Sequence, residues 1–367
     1  MSPKKNKEAL PTKTPADSIA NTPVDFYTCE FFPVFGGIST YCHELAQAAC
    51  RAGHRTTVYA PARATPPSGE SIGYELQQGD WHGNHNPDTI WRVRRLLARQ
   101  LSKPKEHTHV LAEPGPILAL GTLPAHLAAE AQPILVFHGS EILRWHRHPL
   151  SRRLARRAIR AAAKVICVSR PIAHTAVECF PEATEKLKAV PNALPNNFAN
   201  RARKSKPPEY KRDRFQLLTV GRFHPRKGFD HLIRALNQLP EKIKAQLEYT
   251  IIGGDKAPTY RKSICKQAAS CGIRLTCRTD VSADALAEAY QAADAFALTS
   301  IPHHSSIEGF GLVYLEAGAY GLPCLAYDSG GVRDAVQHGK TGFLVQTGRI
   351  DALTGHIRQW MEDPQTR

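Results

Sequence analysis

The amino-acid sequence predicts an α/β protein built as two doubly wound domains that face one another across a cleft. Three observations carry this expectation. Short apolar runs of strand character alternate with segments whose apolar residues recur at helical spacing. The alternation breaks once, in a polar, basic, proline-bearing stretch at 196–214, and then begins again. Glycines recur where a strand hands over to a helix, the edge at which open α/β sheets take their ligands. The expected organisation is a disordered tail at 1–23, a first domain at 24–195, a linker at 196–214 and a second domain at 215–367.

The first domain opens with a strand at 24–29, the corner Gly36-Gly37-Ile38, and a helix whose Leu45, Ala46, Ala49 and Cys50 share a face. Gly53 stops that helix, and a strand follows at 56–60. Residues 61–88, rich in Pro, Gly, Ser, Asn and His, read as loop. Residues 89–101 are amphipathic and basic, with Arg92, Arg94, Arg95 and Arg99 among Trp91, Val93, Leu96 and Leu97. Strands at 109–113 and 133–137 come next, and the second delivers His138 to its carboxyl end. The stretch 117–137 is the most apolar, but Pro124, His126, Glu130 and Pro133 interrupt it. It reads as a helix, a turn and a buried strand, not as a membrane span.

Residues 144–164 hold eight Lys/Arg and no acid. Arg152, Arg156 and Arg160 recur every fourth residue, with Leu150, Leu154, Ala158 and Ala161 on another face. The expectation is one basic amphipathic helix suited to anionic lipid headgroups or a phosphorylated acceptor. A strand at 165–169 and a helix at 170–179 complete this half. In the second half, strands are expected at 215–220, 246–252, 273–278, 295–298, 322–327 and 342–345. Helices are expected at 229–237, 260–271, 283–293, from Val332, and at 350–361.

The most informative stretch is 307–320. Glu308 and Glu316 are separated by seven residues, with Gly309 and Gly311 between them and an apolar helical run behind. The first helical N–H groups lack internal partners and the helix dipole is positive there, so a glycine turn feeding a helix is an anion site. Two carboxylates beside it can grip the polyhydroxy ends of a ligand whose phosphates rest on the glycines, as in a nucleotide sugar. Arg222 and Lys227 leave the end of the second domain's first strand on one glycine-flanked loop. A guanidinium fork and an ammonium point charge together suit a diphosphate.

Composition narrows the classes. The 48 Lys and Arg outnumber the 33 Asp and Glu, for a formal charge of +15, which implies an anionic partner. The basic residues form no nucleic-acid recognition motif and no aromatic stacking platform, so nucleic acid is not expected. Nine cysteines without a Cys-x-x-Cys pair fit buried thiols in a reducing cytoplasm. The amino terminus lacks the apolar core of a secretory signal.

Four stretches together resemble glycosyltransferase family 4, the retaining nucleotide-sugar transferases of GT-B fold. They are Gly36-Gly37-Ile38 with Gly53-His54 and Val58; Gly221-Arg222 with Lys227-Gly228; Glu308 through Glu316; and Gly330-Gly331 with Gly339, Gly342 and Val345. The resemblance covers most of 24–350 and implies two Rossmann-like domains. It implies that Arg222 and Lys227 bind the donor diphosphate, that Glu308 contacts sugar hydroxyls, and that Gly309, Phe310 and Gly311 lie near sugar and phosphate. Glu316 would hold the ribose diol, His138 would lie beside the anomeric carbon, and Gly37 would approach the diphosphate from the first domain. Arg278 and Thr279 would lie against the base. Joined to the resemblance, the basic 144–164 helix and the basic 89–101 segment suggest a cytoplasmic enzyme, peripheral on the inner membrane face, acting on a glycan or lipid-linked acceptor in polysaccharide or glycolipid synthesis. No cofactor beyond the donor and no metal is expected, since no Asp-x-Asp pair is present. A synthase or phosphorylase acting on a soluble sugar, and a non-catalytic binder of anionic surfaces, are the alternative readings.

The chain departs from the family pattern in four places. Thr279 replaces a common glycine, and Pro191-Asn192-Ala193 stands for the usual Pro-Asn-Gly. The loop before Glu308 is longer than usual and carries His303 and His304. The chain stops at Arg367, where members usually continue with a helix packed on the first domain; a short carboxyl terminus with looser domain closure is the expectation.

Overall fold

The computed structural model describes residues 22–34, 36–67, 71–83, 85–102, 107–204, 214–255 and 257–367. The tail expected at 1–23 lies outside these residues, save for its last two. Strands β1 (Val24–Tyr27), β2 (Thr56–Ala60), β3 (Glu75–Gln78), β4 (Thr108–Leu111), β5 (Ile134–Phe137), β6 (Lys164–Cys167) and β7 (Leu187–Ala189) form one sheet, in the order β3-β2-β1-β4-β5-β6-β7. Strands β8 (Phe215–Val220), β9 (Leu247–Ile252), β10 (Leu275–Arg278), β11 (Ala295–Leu298), β12 (Cys324–Tyr327) and β13 (Gly342–Val345) form the second, in the order β10-β9-β8-β11-β12-β13. Every pairing within both sheets is parallel.

Each sheet reverses its strand order once, at β1/β4 and at β8/β11. The chain parts company with itself at those points and leaves a crevice at the carboxyl ends. Helices α1 (Gly37–Arg51), α2 (Pro87–Leu101), α3 (Pro114–Gly121), α4 (Ala125–Ala131), α5 (Ser140–Arg147), α6 (Pro149–Ala161) and α7 (Arg170–Cys179) serve the first sheet. Helix α8 (Asn196–Lys204) follows, and α9 (Phe229–Asn237), α10 (Glu241–Lys244), α11 (Pro258–Ser270), α12 (Ala283–Ala292), α13 (Leu312–Ala319), α14 (Val332–Ala335) and α15 (Ile350–Glu362) serve the second.

The central strands β1, β11 and β12 are buried at every residue, as a sheet covered on both faces requires. Side chains still alternate. Tyr27, Tyr59, Leu111 and Phe137 pack into one cluster, whereas Phe26, Val58, Val110 and Val136 face the other way, into a cluster that continues into the second domain.

Three of the differences from the sequence expectation are instructive. Strand β3 lies inside the segment read as loop; it is a polar edge strand, Glu-Leu-Gln-Gln, three of its four residues exposed, and so carries no apolar signal. The basic segment 144–164 is two helices, not one. Pro149 starts the second at a position where its missing N–H is harmless, and it forces His148 into extended backbone (φ −106°, ψ 114°). The stretch read as linker begins with α8, which buries Ala202 and packs against α13, because Phe198 finds aromatic partners there. Residues 205–213 of that expected linker lie outside the described residues. No described helix is long and apolar enough to cross a membrane.

Candidate active site

The carboxyl ends of the two sheets enclose a cavity of about 750 Å³. The second domain's wall is built on the loop after β8. One turn of 3₁₀ helix at Pro225–Lys227 ends on Gly228, whose φ of +63° suits glycine and whose absent Cβ would stand 2.1 Å from the Thr299 carbonyl oxygen. The turn sends Arg226 and Lys227 inward and leaves Arg222 exposed on the cavity wall.

The inward cations converge on one atom. Oε2 of Glu308 accepts from Lys227 Nζ at 2.7 Å, Arg226 Nη1 at 2.9 Å and Ser300 Oγ at 2.8 Å. Burial pushes the Glu308 carboxyl up, but Lys227 and Arg226 overcome it and hold the group well below the usual carboxylate range. Lys227 is driven down by burial and by Arg226 and Arg222, against the pull of Glu308. Two cations thus bond one buried carboxylate, with Arg222 on the cavity wall beside them, so positive charge is in excess around Glu308. Arg226 and Ser300 were missed from sequence. Only the 3₁₀ turn distinguishes Arg226 from a solvated loop cation.

Gly311, at φ +90°, feeds α13, whose first residues Leu312 and Val313 line the same cavity as Gly309 and Phe310. Glu316, one turn further on, also lines it, and its Oε2 accepts from the Tyr290 hydroxyl at 2.8 Å. Burial lifts the Glu316 carboxyl to about 7, with Tyr290 acting in the opposite direction. A carboxyl raised on folding adds most stability below its unfolded value, about 4.3, and that contribution is lost as pH rises through the folded value. Glu316→Gln is therefore expected to raise the melting temperature of the unliganded protein at pH 8 and to leave it nearly unchanged below about pH 4. Equal melting temperatures at pH 8 would contradict this.

The facing wall comes from the first domain. His138 follows β5, and its Nε2 donates to the Ala112 carbonyl at 2.8 Å, which fixes the tautomer and leaves Nδ1 for a ligand. Tyr41 meets the ring edge-on at 5.1 Å. The buried Glu141 carboxylate accepts from the amides of His138 and Gly139, so the turn is rigid. Gly37 begins α1 at the cavity, and a Cβ there would meet nothing within 4 Å, so the space beside it is open to a ligand. Glu30 and His85 also line this wall and were not singled out from sequence. His85 Nε2 lies 2.6 Å from Oε2 of the buried Glu113, whose Oε1 accepts from the Cys29 amide at 2.9 Å. Burial disfavours the His85 cation, but Glu113 more than compensates and raises its pKa.

The domains touch beside these groups. Ser140 Oγ accepts from the Ile307 amide at 3.1 Å, Ser169 Oγ donates to the Gly309 carbonyl at 2.8 Å, and Arg170 pairs with Asp334 at 3.0 Å. A Cβ on Gly309 would lie 1.9 Å from the His138 carbonyl oxygen. The structure thus brings together His138, Gly37, Arg222, Lys227, Glu308, Gly309, Phe310, Gly311 and Glu316. It does not bring Arg278 and Thr279 to the cavity. They sit at the end of the outer strand β10, two strands from β8, or roughly 10 Å at the spacing of paired strands. Gly253, Gly254 and Leu286 line the cavity on that side.

Comparison with known proteins agrees with this architecture. The model of the family described as Glycosyltransferase Family 4 matches residues 35–197, and that of Glycosyl transferases group 1 matches 200–367. A GDP-mannose-dependent α-(1-6)-phosphatidylinositol monomannoside mannosyltransferase of Mycolicibacterium smegmatis is 28% identical over 349 residues, covering 92% of this chain and 89% of that one. A D-inositol 3-phosphate glycosyltransferase of Rhodococcus opacus is 34% identical over 150 residues, 40% of this chain and 32% of its own. Among solved structures, HepE of Anabaena in complex with UDP aligns at a TM-score of 0.71 with 23% identity, covering 94% of this chain and 91% of that one. WaaG, a glycosyltransferase involved in lipopolysaccharide biosynthesis, aligns at 0.66 with 19% identity, covering 94% of this chain and 92% of its own. Two parallel-sheet domains meeting at their switch points, with family models matched in order along both, make this chain a family 4 glycosyltransferase of GT-B fold.

Proposed function

We propose that the enzyme transfers a sugar, with retention of configuration, from a nucleoside diphosphate sugar to a glycan or lipid-linked acceptor in the synthesis of envelope polysaccharide or glycolipid. The observation that carries this is the excess of cations around Glu308, in one cavity with the start of α13 and with Glu316, and faced by His138. Breaking the bond from sugar to diphosphate places negative charge on the departing phosphate and oxocarbenium character on the sugar. Arg222, Arg226, Lys227 and the α13 amides are aimed where that negative charge develops, so they stabilise it without reorganising. This set can do without a metal. The departing phosphate oxygen takes the proton of the incoming hydroxyl on the same face, which yields retention without a protein base. Glu308 meets the sugar hydroxyls, and Glu316 the ribose diol.

The relatives' names point toward GDP-mannose, and a UDP complex exists among the structural neighbours. Incubation with a panel of UDP-, GDP- and ADP-sugars, read by mass spectrometry, tests the proposal. Release or transfer from one donor, abolished in Glu308→Ala, is the expected result. No turnover of any donor would refute it.

The acceptor is proposed to come from an anionic membrane surface on the cytoplasmic side. Helices α5 and α6 carry a basic groove of about 660 Å³ lined by Arg147, Arg152, Arg153, Arg156, Arg157 and Arg160, and Leu150 beside it is 63% exposed. A cation near an anionic bilayer contributes about 1 kcal/mol. Reversing Arg152 and Arg153 to Glu is accordingly expected to weaken binding to phosphatidylglycerol vesicles at least tenfold at low salt. Unchanged sedimentation with vesicles would argue for a soluble acceptor.

A further inference from the structure

Tyr290 belongs to none of the motifs above. It lies on α12, fully buried behind the cavity wall, and does not line the cavity. Its hydroxyl donates to Glu316 Oε2 at 2.8 Å, and no other side chain bonds that carboxylate among the described residues. Three rings hold it. Tyr320 stacks on it at 5.6 Å with planes 9° apart, Phe198 meets it edge-on at 5.6 Å, and Phe296 tilts against it at 6.1 Å. Phe198 also meets Tyr320 edge-on at 5.6 Å. The brace therefore starts on α8, at the junction of the domains, and ends on the carboxylate that faces the donor.

We infer that Tyr290 is a positioning residue for the nucleotide, holding the Glu316 carboxylate in the orientation that receives the ribose hydroxyls. The inference rests on the reading of Glu316 as the ribose ligand. A single phenolic donor occupies part of one carboxylate oxygen and leaves the remaining lone pairs for a diol. Without it, the buried Glu316 has no fixed partner. Its carboxyl can rotate, and burial favours its neutral form, which accepts fewer hydrogen bonds.

Tyr290→Phe removes the hydroxyl and keeps the three ring contacts. The test is calorimetric: the tightest-binding of UDP, GDP and ADP is titrated beside its 2′,3′-dideoxy counterpart, into wild type and variant. Wild type is expected to prefer the ribonucleotide by about tenfold or more, and the variant by about twofold at most, with affinity for the dideoxy compound unchanged. Ring packing alone does not distinguish the two ligands. A variant that keeps the full preference, or that weakens both ligands equally, overturns the inference and leaves the donor reading intact. A wild type without preference removes the ribose role of Glu316, and the inference with it.

Discussion

Replacing Lys227 by Met lowers kcat/KM for the donor by about 10²–10³-fold and destabilises the fold by about 3 kcal/mol; this is the largest pair of effects expected from one substitution. The catalytic part follows from charge development. Lys227 Nζ sits 2.7 Å from Glu308 and shares the cavity with Arg222, so on the proposed chemistry it is fixed where the diphosphate departs. The stability part follows from burial. Lys227 and Glu308 are 8% exposed each, and removing one partner of a buried pair leaves the other short of compensation. The low end of the usual range applies, because Arg226 and Ser300 still bond Glu308. The solvent-exposed pair Arg349–Asp351 has the same 2.7 Å separation, yet breaking it is expected to leave stability nearly unchanged, because water solvates both groups. Urea denaturation and donor kinetics on both variants check the contrast. The double change Lys227→Met with Glu308→Gln is expected to recover stability but not activity. Recovery of activity would mean that the pair only shapes the loop.

Gly309→Ala is expected to reduce transfer about a hundredfold while leaving the nucleoside diphosphate affinity near wild type. The new methyl would lie 1.9 Å from the His138 carbonyl oxygen, an immovable backbone atom. The domains must part or the loop must shift, and either moves His138 away from the place proposed for the donor sugar. Gly309 also gives its carbonyl to Ser169, and its own Cα lies 3.4 Å from where a Cβ on Gly139 would stand, so both sides of the seam are backbone. Transfer kinetics alongside titration of the nucleotide separates this outcome from misfolding, which would lower both. Transfer at the wild-type rate would show that the domains need not approach this closely.

Much of this was readable in advance, and the exceptions have physical reasons. Strands β8, β11 and β13 and helix α9 fall where apolar runs and glycine stops place them. Glu308 and Glu316 stand out because glycine spacing brackets them. Arg226 does not, because a loop cation turns inward only when a tight turn aims it. Tyr290 reads as one more apolar position of a helix face, and its hydroxyl acquires a role only when α13 packs alongside. Strand β3 pairs through its backbone while its side chains meet water, so patterning is silent there. The outward place of Arg278 depends on strand order, which local sequence does not encode.

The surplus of cations around Glu308 has a consequence for the end of the reaction. On the proposed chemistry, the nucleoside diphosphate left behind gains an ionisable oxygen that the donor had masked with sugar. The same groups that ease bond cleavage therefore hold the product more tightly than the substrate. Release, rather than glycosyl transfer, becomes the slow step, and free nucleoside diphosphate becomes a natural brake on turnover, relieved in a cell by whatever hydrolyses it.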